Sequence, residues 1–386
     1  MPDGSDAITV RSIASIAAVA AEEWDACAGD DAPFCSHAFL SALEASGSAT
    51  AATGWAPCHL LAEDPGGRLL ACAPLYAKSH SYGEYVFDWA WADAWRRAGR
   101  DYYPKLQSAV PFTPATGRRL LLRPGLAGLG LERGLAAAMV EMAEQGGLSS
   151  AHITFLTEPE AMAMAEEGWL LRIGEQFHWN NDGYRSFDDF LGALSSRKRK
   201  AIRKERDRAA QQGLTIHALT GEAIRPAHWD AFFRFYRSTV DRKWGHAYLS
   251  RDFFTRLGKA MAERVLLVMA EQDGQWVAGA LNLIGRDTLY GRNWGALGDF
   301  PFLHFEMCYY RAIDFAIERG LARVEAGAQG EHKISRGYLP VPTYSVHWIR
   351  EAPFRRAVAR FLDDERAAMA ESIDQLSTLS PYRSPD

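Results

Sequence analysis

The sequence has few cysteines, no long apolar run and no excess of positive charge. Its cysteines, Cys27, Cys35, Cys58, Cys72 and Cys308, are odd in number and match no zinc or redox spacing, which indicates buried thiols in a reducing compartment. No apolar stretch reaches the ~18 residues that span a bilayer, so we expect no integral membrane segment. The formal net charge of −5 argues against DNA as a partner, although a local basic patch is compatible with it.

Several catalytic and targeting signals are also missing. The sequence contains no HExxH motif, no GxSxG elbow and no GxxxxGK[ST] phosphate loop. Metal-dependent, serine-hydrolase and ATPase chemistry therefore has no positive support, and we expect no metal and no tightly bound cofactor. The first residues include Asp3 and Asp6 and no basic cluster before an apolar core, which is unlike a signal peptide. We predict a cytoplasmic, bacterial protein.

One pattern occurs twice in the chain. Residues 61–75 and 269–281 each predict a strand, a turn and a second strand. Each is followed by an amphipathic helix that ends at Gly-Leu and then by a short apolar strand. The helices are predicted at 135–145 and 305–319, and the strands at 153–156 and 323–326. This repeat predicts a duplicated α/β unit.

The length of 386 residues suits two domains better than one. We predict an N-terminal domain at 1–180 with an aromatic-rich insertion at 81–113, and a C-terminal domain at 181–376. The tail at 377–386 is rich in Ser and Pro, so we expect it to be flexible. The rings of the insertion are explained either as the lining of a groove or as cover for one face of a sheet.

A basic segment opens the second half. Residues 197–208 include eight basic side chains among twelve residues. In a helix, Arg199, Arg203 and Arg206 lie near one face because they are four and three residues apart. Such a stripe suits the phosphates of RNA, of a nucleotide or of a lipid pyrophosphate. The alternative is a solvated basic helix with internal ion pairs.

Polar and aromatic residues follow the last strand of the second meander. Arg292 is a candidate to pair with an anion, Asn293 to orient a carbonyl or amide, and Trp294 to contact the same ligand. His304 and Glu306 fall in the first turn of the next helix, where backbone N–H groups favour anions. The alternatives are a polar strand end and, for Glu306, compensation of the helix dipole.

The densest candidate site is the glycine-rich turn after the last repeated strand. Glu331 or His332 suits acceptance of a proton from an amine. Lys333 and Arg336 suit contacts to a phosphate or a developing oxyanion, and Gln329 lies in the same turn. The alternative is a turn that carries surface charge.

These segments together resemble the FemAB-like group, often described as peptidoglycan biosynthesis/recognition proteins. The order of meander, helix, strand and helix-turn-strand resembles the Gcn5-related N-acetyltransferase (GNAT) fold, and the tandem pair is similar to the Fem aminoacyl transferases. The resemblance is carried by residues 103–107 with 111–114, 187–206, 290–295 with 303–306, and 327–333.

The resemblance implies an α/β (α+β) fold with two GNAT-like units, each a mixed central sheet flanked by helices. Fem enzymes move an aminoacyl group from aminoacyl-tRNA to an amine on a peptidoglycan precursor. Their basic residue after an aromatic matches Lys333 here, with His332 in the aromatic position. The resemblance thus implies acyl-CoA or aminoacyl-tRNA as co-substrate, a tRNA partner in the second case, and a small-molecule or muropeptide-like acceptor. Residues 123–130 partly imitate the [RQ]xxGx[GA] loop that binds acetyl-CoA.

We therefore predict an N-acyltransferase or aminoacyltransferase. Glu331, His332 and Lys333 are its predicted catalytic residues. The predicted substrate contacts are Arg199, Arg203, Arg292, Asn293, Trp294, His304, Glu306, Gln329 and Arg336. One alternative is a non-catalytic module that recognises a cell-wall or nucleotide-linked ligand. A further alternative is RNA binding through residues 197–208, which would make affinity steeply dependent on salt.

Overall fold

The computed structural model describes residues 8–31, 33–243, 245, 247–327 and 330–383. The chain divides into two compact units. Unit 1 contains the described residues up to Asp30, then Phe34–Gly174 and Pro342–Ala370. Unit 2 contains Asp31 and Pro33, then Glu175–Val341 and the described residues from Glu371.

Unit 1 alternates short strands and helices. In chain order its elements are β1 (Thr9–Ile13), α1 (Ala21–Ala28), α2 (His37–Ala45), β2 (Trp55–Pro57), β3 (His59–Glu63), β4 (Leu69–Ala73), β5 (Tyr76–Lys78), α3 (Trp89–Arg97), β6 (Lys105–Ser108), β7 (Leu121–Leu122), α4 (Leu131–Gln145), β8 (Ser150–Leu156) and α5 (Glu158–Glu166). The next strand, β9 (Leu170–Asn180), leads into unit 2.

Unit 2 contains a longer meander between helices. Its elements are α6 (Phe187–Ala193), α7 (Ser196–Ala210), β10 (Thr215–Leu219), α8 (Pro226–Lys243), α9 (Arg251–Ala260), β11 (Val265–Gln272), β12 (Gln275–Ile284), β13 (Thr288–Ala296), α10 (Leu303–Phe305), a π-helical turn (Glu306–Tyr310), α11 (Arg311–Glu318) and β14 (Arg323–Glu325). Strand β15 (Leu339–Ile349) leads back to unit 1, and α12 (Ala352–Ser377) runs from unit 1 into unit 2.

Both repeated hairpins form as the sequence predicts. In unit 1, β3 and β4 pair antiparallel, and Oδ1 of Asp64 accepts from the backbone N–H groups of Gly66 and Arg68 at 2.9 Å each to close the turn. In unit 2, β11 and β12 pair antiparallel around Asp273 and Gly274, whose φ angles are 51° and 76°. Such paired positive angles match the twist of a hairpin, and Asp-Gly adopts them readily.

Each unit has a mixed sheet with helices against it, which confirms the predicted fold class. In unit 2 the order is β10-β11-β12-β13-β14-β9, with β13 and β14 parallel. Unit 1 has one sheet ordered β1-β3-β4-β7 and another ordered β15-β8-β6-β5-β2, with β6 and β8 parallel. Apolar side chains of α4, including Leu135 and Met139, pack with the strands to form the core of unit 1.

The division of the chain differs from the boundaries that the sequence suggested. Residues 342–370 pack in unit 1 because Tyr344–Ile349 of β15 pair with β8. The insertion at 81–113 is not irregular, since it contains α3 and the fully buried strand β6. A sequence repeat shows which elements recur, but the pairing of strands distant in sequence decides the unit in which each element packs.

The described part of the tail is anchored, so the expectation of a flexible tail is wrong there. The backbone carbonyl of Pro381 accepts from Ser195 at 2.9 Å, and the backbone N–H of Arg383 donates to Ala193 at 3.0 Å. The hydroxyl of Tyr382 donates to the carbonyl of Gly337 at 2.9 Å. Its ring also contacts Phe190, so burial of an aromatic side chain holds the tail against unit 2.

Candidate functional site

The sheet of unit 2 opens between β13 and β14. These parallel strands pair only from Thr288 to Tyr290. In the register with β12, Leu281 faces Asn293 and Asn282 faces Gly291, so Arg292 is the extra residue of a β-bulge. Such a bulge bends its strand and redirects a side chain, and bulges are frequent beside active sites. The bulge therefore separates β13 from β14 at the position where the sequence placed polar ligand contacts.

The helix that follows β13 is irregular at the same end of the unit. Glu306–Tyr310 forms a π-helical turn between α10 and α11. Because a π turn aligns residues five apart, His304 and Tyr309 come together, with ring centroids 5.3 Å apart. Phe302, just before the helix, has a φ of 65°. Irregular backbone of this kind is concentrated at functional sites.

Five aromatic or imidazole rings meet at this place, and we call them the ring cluster. The cluster consists of Trp294, His304, Phe305, Tyr309 and His332. Their centroids are 5.4 Å apart for Trp294 and His304, 5.5 Å for Phe305 and His332, and 5.8 Å for Tyr309 and His332. The structure thus joins the bulged strand, the helix start and the turn at 331–336 in one site.

His332 is one of the two imidazoles of the ring cluster. Its Nε2 lies 3.0 Å from the hydroxyl of Tyr309. Partial burial, followed by the charges of Arg336 and Lys333, lowers the pKa of His332, so its imidazole is neutral near pH 7. Gly330 makes room for it, since a Cβ there would lie 2.4 Å from Cε1 of His332. A neutral, partly exposed imidazole with one nitrogen held by a tyrosine is suited to accept a proton.

Arg336 is fixed beneath the ring cluster. Its guanidinium lies 3.5 Å from the centroid of Phe305. It donates to both carboxylate oxygens of Glu205, at 3.1 Å and 2.8 Å, and to the carbonyl of His332 at 2.6 Å. Tyr310 donates to the same carboxylate. Arg336 is 6% exposed, so it stabilises the turn that carries His332 and holds a fixed positive charge near it.

Glu306 is buried in an ion-pair network. Arg206 donates to its two carboxylate oxygens at 3.1 Å each, and Nε of Arg311 lies 2.9 Å from Oε1. Arg206 also reaches Asp314 at 2.7 Å and stacks on Phe187 at 4.3 Å. This network fastens helix α7 to the π turn. The predicted contact of Glu306 with substrate is therefore a structural ion pair in this conformation.

Lys333 points into the protein. Its Nζ donates to the carbonyl of Ala326 at 2.6 Å and to that of Gly327 at 3.0 Å, and the residue is 4% exposed. Burial lowers its pKa to about 8. These bonds tie the turn at 331–336 to the end of β14. In this conformation Lys333 positions His332, its neighbour in sequence.

The remaining predicted residues lie around this centre. Arg292 and Asn293 are half-buried on β13, and Glu331 is exposed next to His332. Arg203 forms an exposed ion pair with Asp188 at 3.0 Å, and Arg199 is half-buried on the same helix. Gln329 lies outside the described residues. The structure therefore joins Trp294, His304, His332 and Arg336, and leaves Arg199 and Arg203 on α7.

Sequence reasoning missed Phe305 and Tyr309 as members of the site. The sequence predicts a regular amphipathic helix at 305–319, and that pattern does not single out these two residues. A regular helix places residues three and four apart on one face, whereas the π turn moves Tyr309 toward His304 and His332. Their only sequence signal is the proximity of aromatic residues to His304.

The described chain thus has two α/β units, each with a mixed sheet and helices against it. Its structure is similar to the crystal structure of FemX, with a TM-score of 0.55 and 12% identity over 88% of this chain and 98% of that chain. It is also similar to the C-terminal domain of a putative lysylphosphatidylglycerol synthetase from Agrobacterium fabrum, with a TM-score of 0.54 and 12% identity over 88% of this chain and 94% of that chain. At these identities the likeness shows the fold.

The chain belongs to the FemAB-like family, described as peptidoglycan biosynthesis/recognition. The family model matches residues 15–384. A comparison with curated proteins gives no significant match. Within the part of the chain that the structure describes, no helix has the length and apolar character needed to cross a membrane.

Proposed function

We propose that this protein is an N-acyltransferase that transfers an acyl or aminoacyl group to an amine of a peptidoglycan precursor. The observation that carries this proposal is the joining of three elements around His332. These are the opened strand pair, the start of an irregular helix and the turn at 331–336. Family membership supports the peptidoglycan-related acceptor, and the GNAT-like fold supports acyl transfer.

In the proposed reaction His332 removes the proton of the attacking amine. The amine nitrogen forms a bond to the acyl carbonyl carbon, and the bond from that carbon to the donor oxygen or sulfur breaks. When Nε2 of His332 donates to Tyr309, Nδ1 is the basic nitrogen, and the proton that it takes is returned to the leaving oxygen or sulfur. Burial raises the pKa of Tyr309, so its hydroxyl keeps its proton throughout this cycle. Most of the acceleration would come from positioning of the two substrates.

The rest of the site would orient the substrates. Arg292 and Asn293 lie on the bulged segment of β13, and we assign them to acceptor groups. Trp294 and His304 offer ring surfaces beside the same segment. Arg336 would contribute electrostatically, because its position is fixed before substrate binds.

Aminoacyl-tRNA is the donor that helix α7 favours. Among the described residues, no ion pair to an acidic side chain is found for six basic residues of this helix, namely Arg197, Lys198, Arg199, Lys200, Lys204 and Arg208. Such a helix attracts a polyanion through release of counterions. The glycine loop at 123–130 of unit 1 is the competing argument for acyl-CoA. Gly125, Gly128 and Gly130 all have positive φ angles there, and a Cβ at each would meet no atom within 4 Å.

The test is a transfer assay with acyl-CoA and aminoacyl-tRNA donors and a muropeptide acceptor, on wild type and two histidine variants. We expect His332→Ala to lower kcat by about 10²–10⁴-fold with KM little changed, because a general base is lost. His217→Gln is the matched control, since His217 is partly exposed on β10 and pairs with Glu271 at 3.3 Å, apart from the ring cluster. Equal kcat values for wild type and His332→Ala would rule out this assignment.

A non-catalytic binding module is the second candidate. Glu306, Lys333 and Arg336 are all engaged by protein groups, so in this conformation they are not available for proton transfer to or from a substrate. This candidate predicts that a muropeptide binds without turnover by any donor. Binding that persists in His332→Ala while no product forms with wild type would favour it.

A further inference from the structure

One sheet face of unit 1 is polar and buried. The register aligns Lys78 of β5 with Lys105 of β6, and it aligns Gln107 of β6 with His152 of β8 and His347 of β15. Each of these five residues is at most 2% exposed. The opposite face of the same strands is apolar and belongs to the core with α4. Burial of polar groups costs free energy that apolar residues would not cost, so stability alone does not explain this face.

Residues 79–97 lie against this face and bring two carboxylates to it. Nζ of Lys105 lies 2.5 Å from Oδ2 of Asp88 and 2.7 Å from Oε2 of Glu84, and it donates to Ser81 at 2.9 Å. These three acceptors match its three hydrogens. Burial lowers the pKa of His152 to about 3, so the imidazole is neutral. With two lysines and two carboxylates, the buried set has no net charge.

Lys78 is much less well bonded than Lys105. Its Nζ donates to the carbonyl of Tyr82 at 3.3 Å, and Oε1 of Glu84 lies at 3.9 Å, beyond hydrogen-bond distance. The ammonium lies 3.5 Å from the ring centroid of Trp55. An ammonium has three donors, so Lys78 retains capacity for an additional acceptor.

Three further buried atoms have no hydrogen-bond partner among the residues that the structure describes. They are Nε1 of Trp55, Oε1 of Glu84 and Oε1 of Gln107. Trp55 of β2 pairs with Lys78 of β5. Gln107 lies two residues after Lys105 on β6, so the two side chains are on the same face. Such buried, unpaired groups are uncommon in native proteins and call for a specific explanation. The set therefore contains unused donor capacity on Lys78 and Trp55 and unused acceptor atoms on Glu84 and Gln107.

We propose that this polar face is a second binding site, which takes a zwitterionic amino acid or the end of a short peptide. The ligand carboxylate would accept from Lys78 and Trp55, and its ammonium would donate to Glu84 and Gln107. A zwitterion suits the site because it adds no net charge to a buried set that is already neutral. This second site would bind part of the acceptor in the proposed function. The proposal rests on that function only in assuming that the acceptor contains a peptide.

Entry requires displacement of residues 79–97, and their backbone is strained at Tyr85, whose φ of 61° is unfavourable for an aromatic residue. The outer side of the segment is poorly buried, since Tyr82 is 56% exposed and Phe87 is 47% exposed. Movement of Tyr82 would break the hydrogen bond from Lys78 to the carbonyl oxygen of Tyr82. The ligand carboxylate would then accept from Lys78 in place of that oxygen.

The test is calorimetric titration of the full chain with glycine, alanine and alanyl-alanine of both configurations. Acetate and methylamine, which carry one charge each, are the matched probes. We expect a zwitterion to bind at least about tenfold more tightly than either, because it makes both charge-assisted contacts. Lys78→Met and Glu84→Gln should each weaken binding by about tenfold or more, and the ligand should slow hydrogen exchange in residues 79–97.

Two control variants separate this proposal from the proposed function. Lys200→Met, an exposed lysine of α7, and His332→Ala should both bind the zwitterion like wild type. If wild type transfers no acyl or aminoacyl group from any donor and still binds the zwitterion, that result would count against the transferase proposal alone. If no probe binds, or if the Lys78→Met and Glu84→Gln proteins fold and bind equally well, the polar face is a structural network and the second site is overturned.

Discussion

At the residue scale, the proposed role of His332 depends on the residues that position its imidazole. Its ring needs the open space above Gly330, the hydroxyl of Tyr309 and the turn that Lys333 ties to β14. The same ring without these supports would be an ordinary exposed histidine. The positioning residues should therefore affect transfer almost as much as His332 itself.

Gly330→Ala should reduce transfer by about tenfold or more. Gly330 has a φ of 103°, and a Cβ would lie 2.4 Å from Cε1 and 2.8 Å from Nδ1 of His332, so the imidazole must move. Backbone strain adds an expected loss of ~1–3 kcal/mol in stability. The control is Gly327→Ala, where φ is 77° and no atom lies within 4 Å of the added Cβ. Transfer rates and urea unfolding of both variants check this, and equal rates would contradict it.

At the element scale, helix α7 combines two roles on two faces. Its inner face holds Glu205 and Arg206, which bond to the turn at 331–336 and to the π turn. The basic side chains that have no acidic partner belong to the same helix. Both alternatives for the basic segment, ion pairing and phosphate contact, thus apply to different residues of one helix.

Arg206→Met should cost ~2–4 kcal/mol of stability, whereas Arg203→Met should cost at most ~0.5 kcal/mol. Arg206 is bonded to Glu306 and Asp314, so its removal leaves the buried carboxylate of Glu306 with only Arg311. Arg203 forms one exposed pair with Asp188, and solvent screens it. Equilibrium unfolding in urea measures both variants. A similar loss for the two would show that burial of the pair does not matter.

At the scale of the whole molecule, buried ionisable groups should make stability depend on pH. Burial lowers the pKa of His152 and of His178 to about 3 each, from an ordinary value of 6.5. As pH falls, these two histidines are protonated in the unfolded chain at a higher pH than in the folded protein. The free energy of unfolding therefore decreases between pH 6.5 and 3. Burial also raises the pKa of Glu84 to about 7, and this group has the opposite effect between pH 7 and 4.5.

His178→Gln should flatten the acid side of the stability profile. The variant has no imidazole to protonate on unfolding, so wild type should lose up to ~1.4 kcal/mol more than the variant for each pH unit below about 6. Urea unfolding at pH 6.5, 5.5 and 4.5 measures this difference, and Glu84 cancels because both proteins contain it. Parallel profiles for the two proteins would show that His178 titrates normally in the folded state.

Local patterns predicted the fold better than the site. The two hairpins follow from turn residues and apolar alternation, which act over a few residues, and the mixed sheets were implied by the family resemblance. The site depended on pairs far apart in sequence, such as Glu306 with Arg206 and Arg336 with Glu205. Sequence identified His332, His304 and Trp294 as candidates. Pattern alone does not show that Lys333 turns inward.

The sequence by itself determined the duplicated α/β pattern, the turns and the resemblance to the FemAB-like family, because these are carried by local propensity and by motifs. Only the tertiary structure decided that residues 342–370 pack in unit 1, that Arg292 is the extra residue of a bulge and that a π turn brings Tyr309 to His332. It also placed Lys78 and Glu84 on one buried face. The physical reason is that strand register, burial and charge pairing are set by residues distant in the chain.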